Sequence, residues 1–233
     1  MFYFKHFSVE DSHSTIKVGT DAVLLGALSP SSSKPSRILE IGCGCGVVSL
    51  IAAQHNPEAS IDALDIDGPS VAECESNFML SPWHDRLHAI HADVKAHTSP
   101  TPYDLVICNP PFFQNSLKAP DQRRSNARHT DLLSFTELID SVSRLLSPDG
   151  CFSCILPCRE ADQLVAIAAE KGLFCSYKTV ISNKPSSPPK RTVLTLSRQF
   201  PVQCDIEEVC LRDEENRYSA WYTDLTNDLY LNL

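Results

Sequence analysis

The sequence predicts an α/β fold, a mostly parallel sheet with helices on both faces and an antiparallel final strand. Three observations predict it. From position 38 onward, short apolar runs alternate with runs of helical periodicity, the pattern of a parallel sheet built from crossover units. A glycine-rich turn follows the first apolar run. Near the end, two β-rich runs are joined by a short Pro-rich connection, which suits a hairpin and not a crossover.

The elements follow in order. ILEI (38–41) reads as the first strand, 47–55 as a helix and SIDALDI (60–66) as the second strand. Residues 69–80 are helical, LHAIHAD (87–93) is a third strand, and YDLVICN (103–109) a fourth, apolar enough to be central. An amphipathic helix over 135–146 ends at SPDG, a turn signal. CFSCILP (151–157) is the fifth strand, and a helix over 160–171 is stopped by Gly172. LFCSYKTVIS (173–182) and RTVLTLSRQ (191–199) form the hairpin across NKPSSPPK; IEEVCL is a short strand-like piece and 218–231 a terminal helix. A polar, Pro/Ser-rich stretch at 29–36 sets off an N-terminal segment, 1–36, from a main domain, 37–233, within one compact unit.

The chain has 233 residues, 42% of them apolar, enough for a sizeable core. Its formal net charge of −9 argues against a nucleic-acid partner unless a local basic patch exists. The ten cysteines sit mostly in apolar runs, the N-terminus lacks the apolar core of a signal peptide, and no run approaches a membrane span. These features predict a soluble, cytoplasmic protein with free thiols, no metal and no membrane partner.

ILEIGCGCGVVSL is a strand, then Gly42, Gly44 and Gly46, then a helix. Glycines there make a tight turn and let backbone approach a ligand closely. A dinucleotide site carries G-x-G-x-x-G and faces a pyrophosphate. Here the third glycine comes one place early, and Glu40 sits two residues before the first. A carboxylate repels pyrophosphate but attracts a cation, and S-adenosylmethionine carries an ammonium and a sulfonium with no phosphate. Asp65, nineteen residues after Gly46, stands where an acid hydrogen-bonds ribose hydroxyls; Asp67 is a competing candidate. Asp93 ends the third strand and suits an adenine amino group. Any one of these acids alone reads as a helix cap. Three at successive strand ends above one glycine loop read as a cofactor site, with Ile66 and Val94 beside them as further contacts.

The fourth strand ends in Asn109, Pro110, Pro111 and Phe112. The bland reading is a rigid turn, since neither proline can donate to a ladder. The functional reading concerns a planar amino group such as that of adenine, whose lone pair is delocalised into the ring. Acceptors at the Asn109 side-chain oxygen and the Pro110 carbonyl would hold both amino hydrogens and aim the lone pair, and Phe112 would stack on a flipped base.

The glycine loop, the strand-end acids and the NPPF motif together resemble class I, Rossmann-like methyltransferases that act on planar amino groups. A narrower resemblance covers almost the whole chain. FKHFSVEDSHSTIKVGTDAVLLGAL, SPW at 81–83, ICNPPFF, RRSNARHT, CFSCILP and YSAWYTDLTNDLYL are similar to the tRNA1(Val) adenine-N(6) methyltransferases of gamma-proteobacteria. The resemblance implies a seven-stranded sheet with a reversed last strand, S-adenosylmethionine as cofactor, and a valine tRNA adenine just 3′ of the anticodon as target. It also implies that Lys17, Gly19 and Thr20 of KVGTD lie near the methionine end of the cofactor. Phe112 stands where that family more often has Tyr, which keeps the stacking face and drops the hydroxyl.

A local basic patch is present. Lys118, Arg123, Arg124 and Arg128 follow the NPPF motif, and Lys184, Lys190 and Arg191 flank the hairpin. Both groups read as tRNA contacts if they share one rim of the sheet; solvated loops are the alternative. Cys151, Cys154 and Cys158 resemble a metal spacing but fall on a strand whose side chains alternate in face, so they read as small core residues. Cys43 and Cys45 read as fillers, Trp83 as packing, and Trp221 and Tyr222 as docking residues. The competing functions are amino-group methylation of ribosomal-RNA guanine or release-factor glutamine, an NAD-dependent oxidoreductase, and a non-enzymatic RNA binder. The rival methyltransferases usually carry a recognition domain before the glycine loop, and 37 residues precede Ile38.

Overall fold

A computed structural model describes residues 1–15, 17–29, 34–110 and 133–232. A small hairpin, β1 (Phe2–Tyr3) and β2 (Ser8–Val9), leads through an extended segment to helix α1 (Thr20–Leu28). There follow β3 (Arg37–Ile41), α2 (Val47–His55), β4 (Ser60–Asp65), α3 (Gly68–Met79), β5 (Leu87–His91) and β6 (Tyr103–Cys108). Then come α4 (Phe135–Leu145), β7 (Leu146–Pro157), α5 (Cys158–Glu170), β8 (Phe174–Ser182), β9 (Pro189–Ser197), β10 (Asp205–Cys210) and α6 (Ala220–Thr226).

The main sheet has strand order β10-β8-β9-β7-β6-β3-β4-β5. Only β9 runs against its neighbours, pairing antiparallel with β7 and β8. The reversed hairpin strand is therefore as expected. The sheet has eight strands and not seven, because Asp205–Cys210 adds parallel to β8 at the edge. A six-residue piece with acids at 205, 207 and 208 carries too little apolar periodicity to announce pairing; the free edge of β8 decides it.

Alternation along the strands divides the core. Ile38, Leu105, Ile107, Ile155 and Val193 face α1, α2, α3 and α6. Leu39, Val106, Phe152, Cys154 and Leu194 face α4 and α5. Ser134 and Glu137 form a reciprocal capping box that starts α4, and α5 ends at Gly172 with Leu173 N donating to Ala168 O.

Two expected boundaries move. SPDG at 147–150 does not leave the sheet. Leu146 pairs with Tyr103 and Cys151 with Leu105, so the four residues form a bulge inside β7. A Cβ at Gly150 would lie 2.8 Å from Ser147 Oγ and 2.9 Å from Tyr103 O, which explains the glycine. The terminal helix covers Ala220–Thr226 and not 218–231. Beyond it the chain is taken by the N-terminal hairpin, where Phe4 bridges Tyr230, Lys5 N donates to Leu229 O, and Phe4 stacks on Phe7.

The segment after β2 runs along α3 as a strap. Ser70, Glu73 and Asn77 form one helical stripe, spaced three and four apart, and all three are buried. Asn77 Oδ1 accepts from Glu10 N, and its amide donates to Glu10 O and Cys45 O. Glu73 accepts from His13 N at 2.8 Å and Ser14 N at 2.7 Å, and Ser70 Oγ accepts from Thr15 N. Burial pushes the Glu73 carboxyl upward, but the His13 and Ser14 donors outweigh it and hold the group below its usual value. Replacing Glu73 by Ala removes the carboxylate that accepts from the part-buried His13 amide and the buried Ser14 amide. The expected result is a loss of roughly 2 kcal/mol in urea unfolding, with faster amide exchange at His13 and Ser14; unchanged exchange there would contradict the strap.

Candidate active site

Chain order reverses direction between β3 and β6: β4 and β5 extend the sheet on one side of β3, and β6 adds on the other. The carboxyl ends of these two strands therefore border the crevice where open α/β sheets bind ligands. Gly42 leaves the end of β3 and Asn109 the end of β6, with Ile41 paired to Cys108 just before them.

The glycine loop is built as the sequence requires. Gly42, Gly44 and Gly46 have φ of +74°, +52° and +80°, all left-handed. A Cβ at Gly46 would come within 2.6 Å of Cys74 Sγ and 2.8 Å of the Phe78 ring, so this glycine also lets α3 close on the loop. At Gly42 a Cβ would meet nothing within 4 Å, so the first turn faces open space on the ligand side. Gly42 N and Cys43 N donate to Leu64 O, which ties the turn to β4.

Glu40 is buried behind the loop. Its carboxylate accepts from Ser49 N at 3.0 Å and from the Ser49 hydroxyl, in the first turn of α2. Burial pushes its pKa up to about 8, against the opposing pull of the Ser49 donors. The same side chain braces α2 through Ser49, in addition to any part in holding a cation.

Asp65 and Asp67 divide their work. Asp67 Oδ2 accepts from Ser70 N and Ser70 Oγ and so caps α3. Asp65 accepts from Gly44 N and Asp67 N, each at 2.9 Å, and lies at the open end of β4 beside the glycine turn. Burial raises its pKa, while the Asp67 and Gly44 amides oppose the rise. Each carboxylate oxygen has a second acceptor direction, so Asp65 retains capacity for ribose hydroxyls. Ile66 next to it is 53% exposed, an apolar face at the crevice. β5 stops at His91, two residues before Asp93, and Ala92 N donates to Asp65 O. Asp93 Oδ1 accepts from Lys95 N and so closes a turn, and Val94 is buried in the core.

Asn109 is half-buried and Pro110 buried. Pro111 and Phe112 lie outside the described residues, as do Lys118, Arg123, Arg124 and Arg128. The strap delivers the KVGTD segment to the same edge. Lys17 Nζ donates to Asp11 O, Gly19 caps α1, and Thr20 is exposed in its first turn. On the far side, the hairpin at 183–188 lies on this carboxyl rim too, because β8 ends there and β9 begins there. Lys184 and Arg212 line a cleft of about 300 Å³ at this rim, Lys190 is exposed, and Arg191 is ion-paired to Asp21 at 3.0 Å.

Three residues of this site carried no signal that reading the sequence caught. Ser49 and Asn77 serve Glu40 and Cys45 only through packing of α2 and α3. Asp21 follows Thr20 directly, and an acid in a first helical turn reads as an ordinary dipole partner. All ten cysteines are free. Burial holds the Cys45 and Cys151 thiols up at about 12 and about 11, so they stay protonated as core residues. Among the described residues no group of His, Cys, Asp or Glu is placed to hold a metal ion, and no helix is long and apolar enough to cross a membrane.

The model of the methyltransferase small domain matches residues 9–153. A protein of Bacteroides fragilis named tRNA1(Val) (adenine(37)-N6)-methyltransferase is 40% identical over 235 residues, spanning 100% of this chain and 98% of that one. Proteins of the same name from Phocaeicola vulgatus and Tolumonas auensis are 41% and 37% identical, each spanning 100% of this chain and 98% and 97% of theirs. The chain belongs to this methyltransferase family. Among solved structures, a predicted O-methyltransferase of Agrobacterium tumefaciens is similar with a TM-score of 0.68 at 19% identity, covering 90% of this chain and 96% of that one. The glycopeptide N-methyltransferase MtfA complexed with S-adenosyl-L-methionine gives 0.56 at 14%, covering 81% and 91%. Those likenesses show a class I methyltransferase fold.

The cofactor of this methyltransferase is S-adenosylmethionine. The residues present fit it: an open turn at Gly42, an acid with spare acceptor capacity at Asp65, an exposed apolar Ile66, and no basic side chain on the glycine loop that would call for a phosphate.

The Glu40 shift has a consequence for stability. An acid whose folded pKa lies above its unfolded value binds more protons when folded, so its contribution is most favourable at low pH. It declines as pH rises from the unfolded value near 4.5 to about 8. Glu40→Gln removes that decline. Thermal unfolding from pH 5 to pH 8.5 should show the variant gaining on the wild type as pH rises; a constant difference would show that Glu40 does not titrate there.

Proposed function

We propose that this chain methylates the exocyclic amino group of the adenine 3′ of the anticodon in tRNA1(Val), giving N(6)-methyladenosine. The observation that carries the reading is the full-length identity to relatives of that name, joined to an Asn-Pro step at the switch point beside the glycine loop. When bound, S-adenosylmethionine supplies a methyl group activated by its sulfonium charge.

The chain's own residues supply position and charge. Gly42, Gly44 and Gly46 give close backbone approach. Asp65 accepts from the ribose, Ile66 flanks the adenine, and Asp93 accepts from its amino group, while Val94, expected beside them, packs in the core. Lys17, Gly19 and Thr20 border the methionine end, with residues 1–36 packing over the cofactor; Glu40 supports that end from behind the loop. Asn109 Oδ1 and the Pro110 carbonyl accept the two amino hydrogens of the target base, which directs the nitrogen lone pair out of the ring plane. From the sequence, Pro111 is assigned to stiffen the chain and Phe112 to stack on the base taken out of its helix. No strong general base is required, because the methylated nitrogen is acidic and loses its proton late. Lys118, Arg123, Arg124, Arg128 and Lys190 are the candidates from the sequence for phosphate contact, while Arg191, read with them in the sequence, is ion-paired to Asp21. We place the reaction in the cytoplasm, with its substrate.

The test is methyl transfer from labelled S-adenosylmethionine to total tRNA from a strain lacking this gene, with nucleosides identified by mass spectrometry. A new N(6)-methyladenosine confined to a valine tRNA is expected. Label in ribosomal RNA or in release factor would move the substrate and leave the chemistry. Asn109→Ala should lower kcat by about 10²–10³ with cofactor Kd unchanged, and Asp65→Asn should weaken cofactor binding roughly 10-fold or more. Equal loss of cofactor binding in Asn109→Ala would remove its assigned role.

A further inference from the structure

Lys190 and Arg191 are neighbours in sequence, but the sheet separates them. Side chains alternate along β9. Arg191 shares the parity of Val193, which packs in the core beneath α1. Lys190 is the unpaired residue of a register break at the start of the strand, where Ile181 pairs with Arg191 and Ser182 with Pro189, and it is exposed. Arg191 is turned inward: its Nε lies 3.0 Å from Asp21 Oδ1 as an ion pair, and the two side chains are only 21% and 32% exposed. Burial raises the Asp21 pKa, and the Arg191 charge opposes that rise.

The sheet register shows where this pair sits. Arg191 is paired with Pro157, the last residue of β7. β7 lies beside β6, with Cys154 opposite Cys108, so Asn109 and Pro110 continue β6 at the level where β7 runs towards Pro157. Two strand spacings, about 10 Å, separate β9 from β6. Asp21 is the second residue of α1, directly after Gly19 and Thr20. The segment leading into α1 is anchored at Thr15, on Ser70 of α3, and again at Asp21, on Arg191. Lys17, Gly19 and Thr20 lie between those anchors.

We infer that Arg191 is a positioning residue of the cofactor site and not an RNA contact: through Asp21 it holds the first turn of α1 beside the Asn109–Pro110 step. This rests on the proposed reading that 17–20 border the methionine end of the cofactor. It also assigns a function to the reversed strand, which carries the fixing arginine to the α1 face while leaving Lys190 at the rim.

The experiment measures S-adenosylmethionine Kd by calorimetry without RNA, and tRNA affinity as a function of salt, for Arg191→Gln, Asp21→Asn, their double variant, Arg191→Lys and Lys190→Gln. Arg191→Gln and Asp21→Asn should each weaken cofactor binding about 5- to 20-fold, an interaction of ordinary partly buried strength. The double variant should be no weaker than either single one, since both remove the same contact. Arg191→Lys should recover much of the loss. Amide exchange at 17–22 should quicken in both single variants while the melting temperature changes little. The salt slope for tRNA should stay unchanged in Arg191→Gln. Cofactor Kd within twofold of wild type in Arg191→Gln, with a salt slope reduced by about one, would overturn the inference and return Arg191 to the RNA interface. If the wild type binds S-adenosylmethionine and only the Arg191 result fails, the proposed function stands. If the wild type does not bind it, both fall together.

Discussion

Three left-handed glycines in five residues force the chain at the end of β3 to turn twice before α2 begins, and the rest of the site is arranged around that turn. Its backbone is held by Leu64 O and the Asp65 carboxylate from β4, and by the Asn77 amide from α3. Ser49, in the first turn of the helix that follows, is held by Glu40 from the strand before it. None of these partners tolerates a side chain at Gly46, where Cys74 and Phe78 already fill the space. The turn is thus fixed from three elements, and its open side at Gly42 faces the switch point beside Asn109.

Acids in such a site serve two masters, and the structure separates them by geometry. Asp67 is engaged by Ser70 as a helix cap, whereas Asp65 splits its oxygens between two backbone amides and keeps acceptor directions free. Glu40 is more deeply buried, burial raises its pKa, and its bonds to Ser49 make it a brace of α2.

The N-terminal strap solves a related problem. A segment without regular structure must satisfy its backbone groups when it crosses a protein surface. The Ser70, Glu73 and Asn77 stripe does this for residues 10–15, and Arg191 fixes the far end at Asp21. Between them Lys17 Nζ and Val18 N donate to Asp11, and Lys17, Gly19 and Thr20 lead into the first turn of α1. The aromatic cluster of Phe4, Phe7, Trp83 and Tyr230 anchors the strap's origin and explains why the terminal helix stops at Thr226.

Local pattern alone determined the alternation of strands and helices, the reversal of β9, the glycine turn and the strand-end acids. Each depends on short-range chemistry: a period of two or of 3.6, a glycine where φ must be positive, a proline pair that ends a strand. The tertiary structure decided what depends on a partner distant in sequence. It placed Asp205–Cys210 as an eighth strand because β8 offered a free edge, and it kept SPDG inside β7 because Tyr103 and Leu105 could pair across a bulge. It chose Asp67 as the cap and left Asp65 to the crevice, a choice that two acids two residues apart on one strand end do not reveal. It also turned Arg191 towards Asp21 and Lys190 to the rim. In the sequence these are adjacent positive charges; only the register break at the start of β9, and the packing of that strand against α1, give one a carboxylate and the other water.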